Sequence, residues 1–479
     1  MDMDLLEAQA SVLSVAPAFD NHVAAGILGS SEDWLTRFGG GDKTDPITSL
    51  RLAGLLVEWS GVMRIADPLK SELASRLAAE SPATYRACAH TFSAHARNGF
   101  HTRLAQVLGD RGAAVSVAVL DVAGADPDSE SSSIRSLIAT LQTSSSRPVD
   151  TAAAIRQLSQ SPARRTTTDR LAAFLTGLHD WRLGRHDEAS HQLELVLASR
   201  RDDQIEAIAR HLVGVYRAEQ RDFDSSLLYL ETASDLLRRL GDRRGLTQAL
   251  TSFGRVLAGS AMSHVAFPNK PDFETEQLVR AAKILDEAIA MGQDLHDNVL
   301  AGRAILELAR VEYASERIDA AIDLAEDAAR VLSHHQPDLV NVYTYMGTWY
   351  REAGRTDEAR EVLRKAAEIA EKSGSSDAAL GRILNVQASA DRRAGLTDEA
   401  IRNARDSVEI GRRLGDNRHT AHALHTLAAS LLDLNTQEAQ KEAILLLNEA
   451  RALLEHLGDS KGVGMVDTTL ARTLGPHRA

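Results

Sequence analysis

The stretch "YMGTWYREAGRTDEA", Tyr345–Ala359, decides the fold. Its phrase "GRTDEA", Gly354–Ala359, sits between two helix-length amphipathic segments, so the stretch reads as helix, tight turn, helix. The phrase returns as "GRHDEA" (Gly184–Ala189), "ERIDAA" (Glu316–Ala321) and "GLTDEA" (Gly395–Ala400). A second phrase, "LGD", closes the second helix at Leu240–Asp242, Leu414–Asp416 and Leu457–Asp459, with "LHD" at Leu295–Asp297. Glycine there can take the left-handed conformation that ends a helix, and the aspartate favours the turn that follows. Small residues at Gly177, Gly214, Gly254, Ala309, Gly347, Ala388 and Ala428 let the first helix of each unit approach its neighbour. Ala189, Ala321, Ala359 and Ala400 do the same at the start of the second helix.

These equivalent positions recur at intervals of about 40 residues, longer than a minimal helical-hairpin repeat of roughly 34. In its phrases and spacing the chain resembles the tetratricopeptide repeat family, in its long "LGD" variety. Seven units fall near 168–203, 204–243, 244–298, 299–336, 337–375, 376–417 and 418–459, and a capping helix follows from Gly462. The third departs from the pattern with the insertion "GSAMSHVAFPNKPDFET". The resemblance implies an all-α fold in which residues 168–479 form a superhelical α-solenoid.

The bulk numbers agree with a solenoid. A chain of 479 residues is too long for one compact core. Aromatics are 4% of it, while Ala, Leu, Arg and Glu dominate, a helical composition. With 54 Lys and Arg against 67 Asp and Glu, the net charge of -13 opposes indiscriminate binding to nucleic acid or to an anionic membrane. Cys88 is the only cysteine, which excludes an intrachain disulfide and a multi-cysteine zinc site. No Lys or Arg precedes Arg37, so the basic segment of a secretion signal is missing and a cytoplasmic location is expected. The run "AAVSVAVLDVAGA" from Ala113 is broken by Asp121 and too short to span a bilayer.

Residues 1–97 carry no repeat phrase. Helical spacing appears in "LLEAQASVLSVA" and "NHVAAGILG", and "SSEDWLTRF" opens with a serine cap and an acidic first turn. Ser60 and Gly61 mark a turn between "LLVEW" and "VMRIAD", a short β-hairpin, after which Pro68 opens a long amphipathic helix. Helices, a two-stranded wing, then "RIADPLKSELASRLAAESPATYRACAHTFSAHA" resemble the winged-helix segment before the repeats of maltose-regulator-type signal-transduction (STAND) ATPases. The His usual after the wing in that family is missing. On this resemblance the chain begins just after the place of the family's nucleotide domain and shows no helix-turn-helix at its end, so neither ATPase nor DNA-binding roles carry over. Residues 98–167 read as a helical connector with loops at "GADPDSESSS" and "TSSSRPVD", and Ala113–Val122 is open between helix and strand.

Four places invite a chemical reading. "FGGGDKTDP", Phe38–Pro46, looks like a phosphate loop, but Asp42 stands where the glycine before the lysine must be, and no strand precedes it. "HTAHALH" puts His419, His422 and His425 at intervals of three on one side of a helix, with no carboxylate partner identifiable for a metal. Cys88, with His90 and His95 near it, lies in a packing helix and reads as a buried small hydrophobe. His334 and His335 read as the end of a helix, where imidazole suits the dipole. No catalytic residue, cofactor or metal site is assigned.

The family resemblance implies ligand contacts on the first helix of each unit. Carried over, they are Arg255 in the third unit and Arg303, Arg310 and Tyr313 in the fourth. The fifth contributes Asn341, Thr344 and Arg351, the sixth Arg382, Asn385 and Arg392, and the seventh His422 and His425. In the first unit the same places hold Leu171, Phe174, Leu178 and Trp181, an apolar stripe suited to packing on the connector. Arginine forks and amides suit carboxylates and extended peptide backbone. The reading is a non-enzymatic interaction or sensor protein whose groove takes a peptide, a partner protein or a small effector, acidic or carboxylate-bearing, in a regulatory setting. The alternative is the effector-sensing arm of a STAND-type ATPase regulator whose nucleotide-binding motor is separate or lost.

Overall fold

The structure, a computed structural model, describes residues 5–38, 45–59, 62–67, 69–125, 130–141, 152, 155, 166–198, 203–262, 271–373 and 377–474. The glycine-rich 39–44, the turn residues 60–61, Pro68 and 143–150 lie outside the described residues. Packing divides the chain into two compact units, Met1–Tyr216 and Arg217–Ala479.

The first unit opens with helices α1 (Leu5–Leu13), α2 (Asn21–Ser30), α3 (Glu32–Leu35) and α4 (Pro46–Leu52). Asp20 caps α2 by accepting from the Val23 N–H at 2.9 Å, and Asp45 caps α4 by accepting from the Thr48 N–H at 3.1 Å. Pro46 sits in the first turn of α4, where its missing N–H costs nothing. Ser31, read above as a cap, does not cap α3. Its hydroxyl donates backwards to the carbonyls of Ile27 (2.8 Å) and Leu28 (3.0 Å), so it closes α2 instead.

Strands β1 (Leu56–Trp59) and β2 (Val62–Ile65) pair antiparallel, with Leu56 opposite Ile65 and Trp59 opposite Val62. Met63 exchanges two backbone hydrogen bonds with Phe19, at 2.8 and 2.7 Å. Phe19 and Ile65 are fully buried, which anchors the ribbon to a core with Ile27, Leu50, Leu77 and Phe92.

Helices α5 (Leu69–Glu80) and α6 (Pro82–His95) follow, and a π turn at Ala96–Phe100 leads into α7 (His101–Gly124). The run left open between helix and strand is therefore helix. Asp121, its interruption, accepts from Ser93 and Ser133 hydroxyls, both at 3.3 Å, and pairs with Arg97, tying α6 and α7 to α8 (Glu130–Leu141). Then come α9 (Thr166–Arg182), α10 (His186–Leu197) and α11 (Gln204–Glu219), whose last turn holds the boundary between the units. Leu171, Phe174 and Leu178 of the apolar stripe are buried, and Arg182 donates to the Leu141 carbonyl at the end of α8.

In the second unit α12 (Phe223–Leu240) precedes the hairpin of α13 (Arg243–Met262) and α14 (Pro271–Asp294). Four more hairpins follow: α15 (Asn298–Ala314) with α16 (Ile318–Val331), α17 (Gln336–Glu352) with α18 (Thr356–Ser373), α19 (Asp377–Arg393) with α20 (Thr397–Leu414), and α21 (Asn417–Leu432) with α22 (Gln437–His456). Helix α23 (Ser460–Leu474) packs against α21 and α22. Each helix packs mainly on its sequence neighbours and on the equivalent helix of the next hairpin, which is the contact pattern of an all-α solenoid.

The "LGD" phrase explains the stops and the starts. Gly241 and Gly415 hold φ of 70° and 67°, and the N–H of each following aspartate bonds back to Leu237 or Gly411. The aspartate side chain then caps the next helix. Asp242 accepts from Gly245 N–H at 2.8 Å, Asp416 from His419 at 2.9 Å, and Asp459 from Gly462 at 3.0 Å. Within hairpins, a Cβ added at Gly254 or Gly347 would lie 2.5 Å from the Cγ of Leu285 or Leu363, so the glycine is what lets the helices close. His334 and His335 do not end a helix. They lie beyond α16, and His335 precedes α17 with its Nδ1 at 2.9 Å from Asp338.

Candidate functional site

One face of each first helix in the second unit lines a cavity of about 720 Å³. The contributing positions are spaced by three and four along α15 (Arg303, Leu306, Glu307, Arg310) and along α17 (Asn341, Thr344, Tyr345, Thr348). Helix α13 adds Arg255, α19 adds Arg382 and Asn385, and α21 adds Arg418, His419 and His422. A smaller cavity of about 280 Å³ adjoins it, sharing Thr348, Asn385, Val386 and His422 and adding Arg351, Arg392, Arg393 and His425.

Eleven of the twelve residues proposed from sequence thus line one or both cavities, and Tyr313 does not. Its ring stacks on Trp349 at 5.6 Å between centroids, and its hydroxyl donates to Glu352 at 2.6 Å. Burial and that bond push the Tyr313 phenol up to about 12. The cavities also hold Glu307, Asp338, Arg393 and Arg418, which the sequence did not point to, and His419, which it marked only as part of the histidine series. Arg393 directly follows Arg392, and Asp338 lies one turn before Asn341, signals that helical periodicity offers only once the groove face is known.

The larger cavity presents five arginines, Arg255, Arg303, Arg310, Arg382 and Arg418, against three carboxylates, Glu307, Asp338 and Asp416. Arg303 Nε donates to Asp338 at 2.8 Å, and Arg310 Nη1 donates to Glu307 at 2.6 Å while its guanidinium lies 5.2 Å over the Tyr345 ring. Burial works against the Arg310 charge, but Glu307 and Tyr345 outweigh it and hold its pKa above the ordinary value. Among the described residues, Arg255, Arg382 and the Asn341 amide have no hydrogen-bond or ion-pair partner.

The smaller cavity is lined by three arginines and no carboxylate. Arg351 Nη2 donates to Glu352 at 3.0 Å, yet its Nε is buried without a partner, as is Asn385 Oδ1. Burial first, then Arg393, lowers the Arg351 pKa against the pull of Glu352.

The histidines of α21 separate in their bonding. His419 Nε2 is 3.0 Å from the Ser407 hydroxyl and His425 Nε2 is 2.9 Å from that of Thr469. Burial lowers all three pKa values, that of His425 to about 4. Among the described residues no group of three His, Cys, Asp or Glu could hold a metal ion. Cys88 is buried, and burial pushes its thiol up to about 12, the opposite of an activated nucleophile. Among the described residues, no helix is long and apolar enough to cross a membrane.

No protein-family model and no curated protein sequence matches the chain. Solved structures do. A Signal Transduction ATPase with Numerous Domains (STAND) protein with a tetratricopeptide repeat sensor, from Pyrococcus horikoshii, is similar with a TM-score of 0.59 at 11% identity. That likeness covers 98% of this chain and 65% of the other, so the chain spans less than two thirds of its length. A Rap protein complexed with Competence and Sporulation Factor is similar with a TM-score of 0.45 at 12% identity, covering 84% of this chain and 96% of that one. A putative kinesin light chain with nearly identical TPR-like repeats, from Podosopora anserina, gives 0.33 at 20% identity over 43% of this chain and 96% of its own. At such identities the likeness is one of fold, and with the hairpins described above it makes this chain a tetratricopeptide-like helical solenoid.

Proposed function

We propose that the chain is a non-enzymatic interaction or sensor protein that binds an extended peptide, or a partner's segment, bearing carboxylates in the groove of its second unit. The observation that carries this reading is charge placed against the trend. On a protein of net charge -13, eight arginines line the two cavities against three carboxylates, and among the described residues Arg255 and Arg382 have no hydrogen-bond or ion-pair partner. Unpaired guanidiniums on a concave wall serve no packing purpose, whereas carboxylates and peptide carbonyls match their fork of donors.

The test is capture of binding partners from lysate by the full chain beside an Arg255→Glu, Arg382→Glu variant. Partners retained by the wild type, lost in the variant and released as salt is raised are the expected result. A partner set unchanged by the double reversal would overturn the groove as the working surface.

A second reading is favoured by the extent of the STAND likeness, which runs over 98% of this chain, the first unit included. In it the chain is the effector-sensing arm of a signal ATPase whose motor is a separate protein. That version predicts capture of a nucleotide-binding protein, with the retained complex and not the isolated chain hydrolysing ATP.

A further inference from the structure

Helix α23 keeps the register of the first helices. Counted from the start of α13, α15, α17, α19 and α21, the twelfth residue is Gly254, Ala309, Gly347, Ala388 and Ala428 in turn, and each is buried. The fifth residue is buried in all five as well, and in α15 it is Gly302. These are places where a second helix closes on the first. A Cβ added at Gly302 would lie 2.5 Å from the Cγ of Leu332, just as one at Gly254 or Gly347 would meet Leu285 or Leu363. In α23 the fifth and twelfth residues are Gly464 and Ala471. Both are exposed, and a Cβ added at Gly464 meets nothing within 4 Å. Among the described residues no second helix covers this face.

The face has a large end and a small end. Gly464, Asp467, Ala471 and Leu474 follow one another at intervals of three, four and three, which keeps them on one side of the helix. Leu474 is 42% exposed, whereas Leu257 and Leu431, the equivalent fifteenth residues of α13 and α21, are buried. A second α23 laid antiparallel, with its two-fold axis at Thr469, sets Leu474 of each copy on Gly464 of the other and Asp467 against Ala471. That direction is the one a hairpin partner takes. The match is also the one the hairpins use, since Leu332, which closes on Gly302, likewise stands at the end of its helix. Asp467 brings no free charge to the seam, because Arg451 Nε on α22 donates to it at 2.8 Å.

We propose that the uncovered face of α23 binds the same face of a second copy of this chain, as an antiparallel two-fold helix pair. The pair continues, between two molecules, the leucine-on-glycine contact that closes the hairpins within one. It does not depend on the reading of the groove. Four residues a side make a small interface by the standard of stable dimers, so the copies pair and separate with concentration.

Sedimentation velocity of the full chain between about 1 and 100 µM reads the pairing, a range suited to an interface of this size. The wild type is expected to pass from monomer to dimer across it. Gly464→Leu fills the place that Leu474 of the second copy takes, and is expected to weaken association by at least about tenfold. Its melting temperature should not fall, because the new side chain enters open space in the single copy and glycine is a poor helix former. The double variant Gly464→Leu, Leu474→Ala sets large on small again in the reverse order, and is expected to recover most of the lost association. Should Gly464→Leu melt early, Leu474→Glu decides, since a carboxylate is tolerated at that exposed position and finds no partner on Gly464. A wild type that stays monomeric across the range, or a dimer that Gly464→Leu and Leu474→Glu leave intact, would overturn the inference. Loss in the single variant without recovery in the double would overturn the antiparallel register. A monomeric wild type that holds a different protein, released by Gly464→Leu, would overturn the second copy and give the face to a foreign helix.

Discussion

At Glu316 the repeat asks a side chain to stand where its sister turns place glycine. Gly354 and Gly395 hold φ of 78° and 77° in their turns, and Glu316 holds 62° at the equivalent place. A residue with a Cβ is disfavoured in that region by roughly 1 kcal/mol or more. Nothing lies within 4 Å of a Cβ built on Gly354, so the preference in these turns is conformational and not a matter of space. Glu316→Gly is therefore expected to stabilise the protein by about 0.5–1 kcal/mol, after the larger unfolded-state entropy of glycine is set against the relief of strain. Urea denaturation measures it, and a variant less stable than the wild type would show that Glu316 makes a contact worth more than its strain. The turn itself was legible in the sequence because "ERIDAA" keeps the acidic and small positions of "GRTDEA". The cost hidden in its first residue was not, since only the backbone angle reveals it.

At the scale of the element, α21 shows why a pattern can be seen and its role misjudged. Periodicity puts His419, His422 and His425 on one side of the helix, and the neighbouring helices give them different fates. His419 turns to Ser407 on α20 and His425 to Thr469 on α23, while His422 lies between the two cavities. Burial is the largest influence on each; Asp416 and Asp459 raise their pKa values, while Arg382, Arg392 and Arg418 lower them, as do the neighbouring imidazoles, His419 acting on His422 and His422 on His425. A histidine whose pKa is lower in the folded than in the unfolded chain leaves the unfolded state binding more protons, so stability falls as pH falls. For His425 the window runs from the ordinary value of about 6.5 down to about 4. The protein is expected to lose about 3 kcal/mol across it from this residue, and His425→Gln, which keeps a donor for Thr469, to flatten that part of the profile. Thermal melting between pH 7 and pH 4 reads the difference, and equal pH dependence in both proteins would show that His425 titrates normally. The helices and their hairpin pairing were legible from the turn phrases, and so was most of the groove face, because position along a repeat fixes direction. Tyr313 was misplaced because stacking on Trp349 from the next hairpin carries it away from the cavities, a long-range contact that local spacing cannot show.

At the scale of the whole molecule, the chain holds two compact units with separate cores, and its tryptophans are divided between them. Trp34 is buried in the first unit and Trp349 in the second, so single-tryptophan variants report each unit by itself. A lesion suited to this test is Asp391. Its carboxylate is buried and accepts from Arg360 Nε at 2.8 Å and from Asn403 Nδ2 at 2.9 Å, joining α18, α19 and α20. Asp391→Ala removes the acceptor of both donors and is expected to cost about 2 kcal/mol, the scale of losing hydrogen bonds to a charged group, since the Arg360 side chain, 40% exposed, can turn to water. In a solenoid, where helices contact chiefly their neighbours, such a loss is felt along the array that contains it. The unfolding midpoint reported by Trp349 should fall, and that reported by Trp34 should stay within about 0.3 kcal/mol of its value, as for sites without shared partners. Equal shifts at both tryptophans would show instead that the two units unfold as one cooperative body, so that a ligand held in the groove of the second would stabilise the first by the same amount.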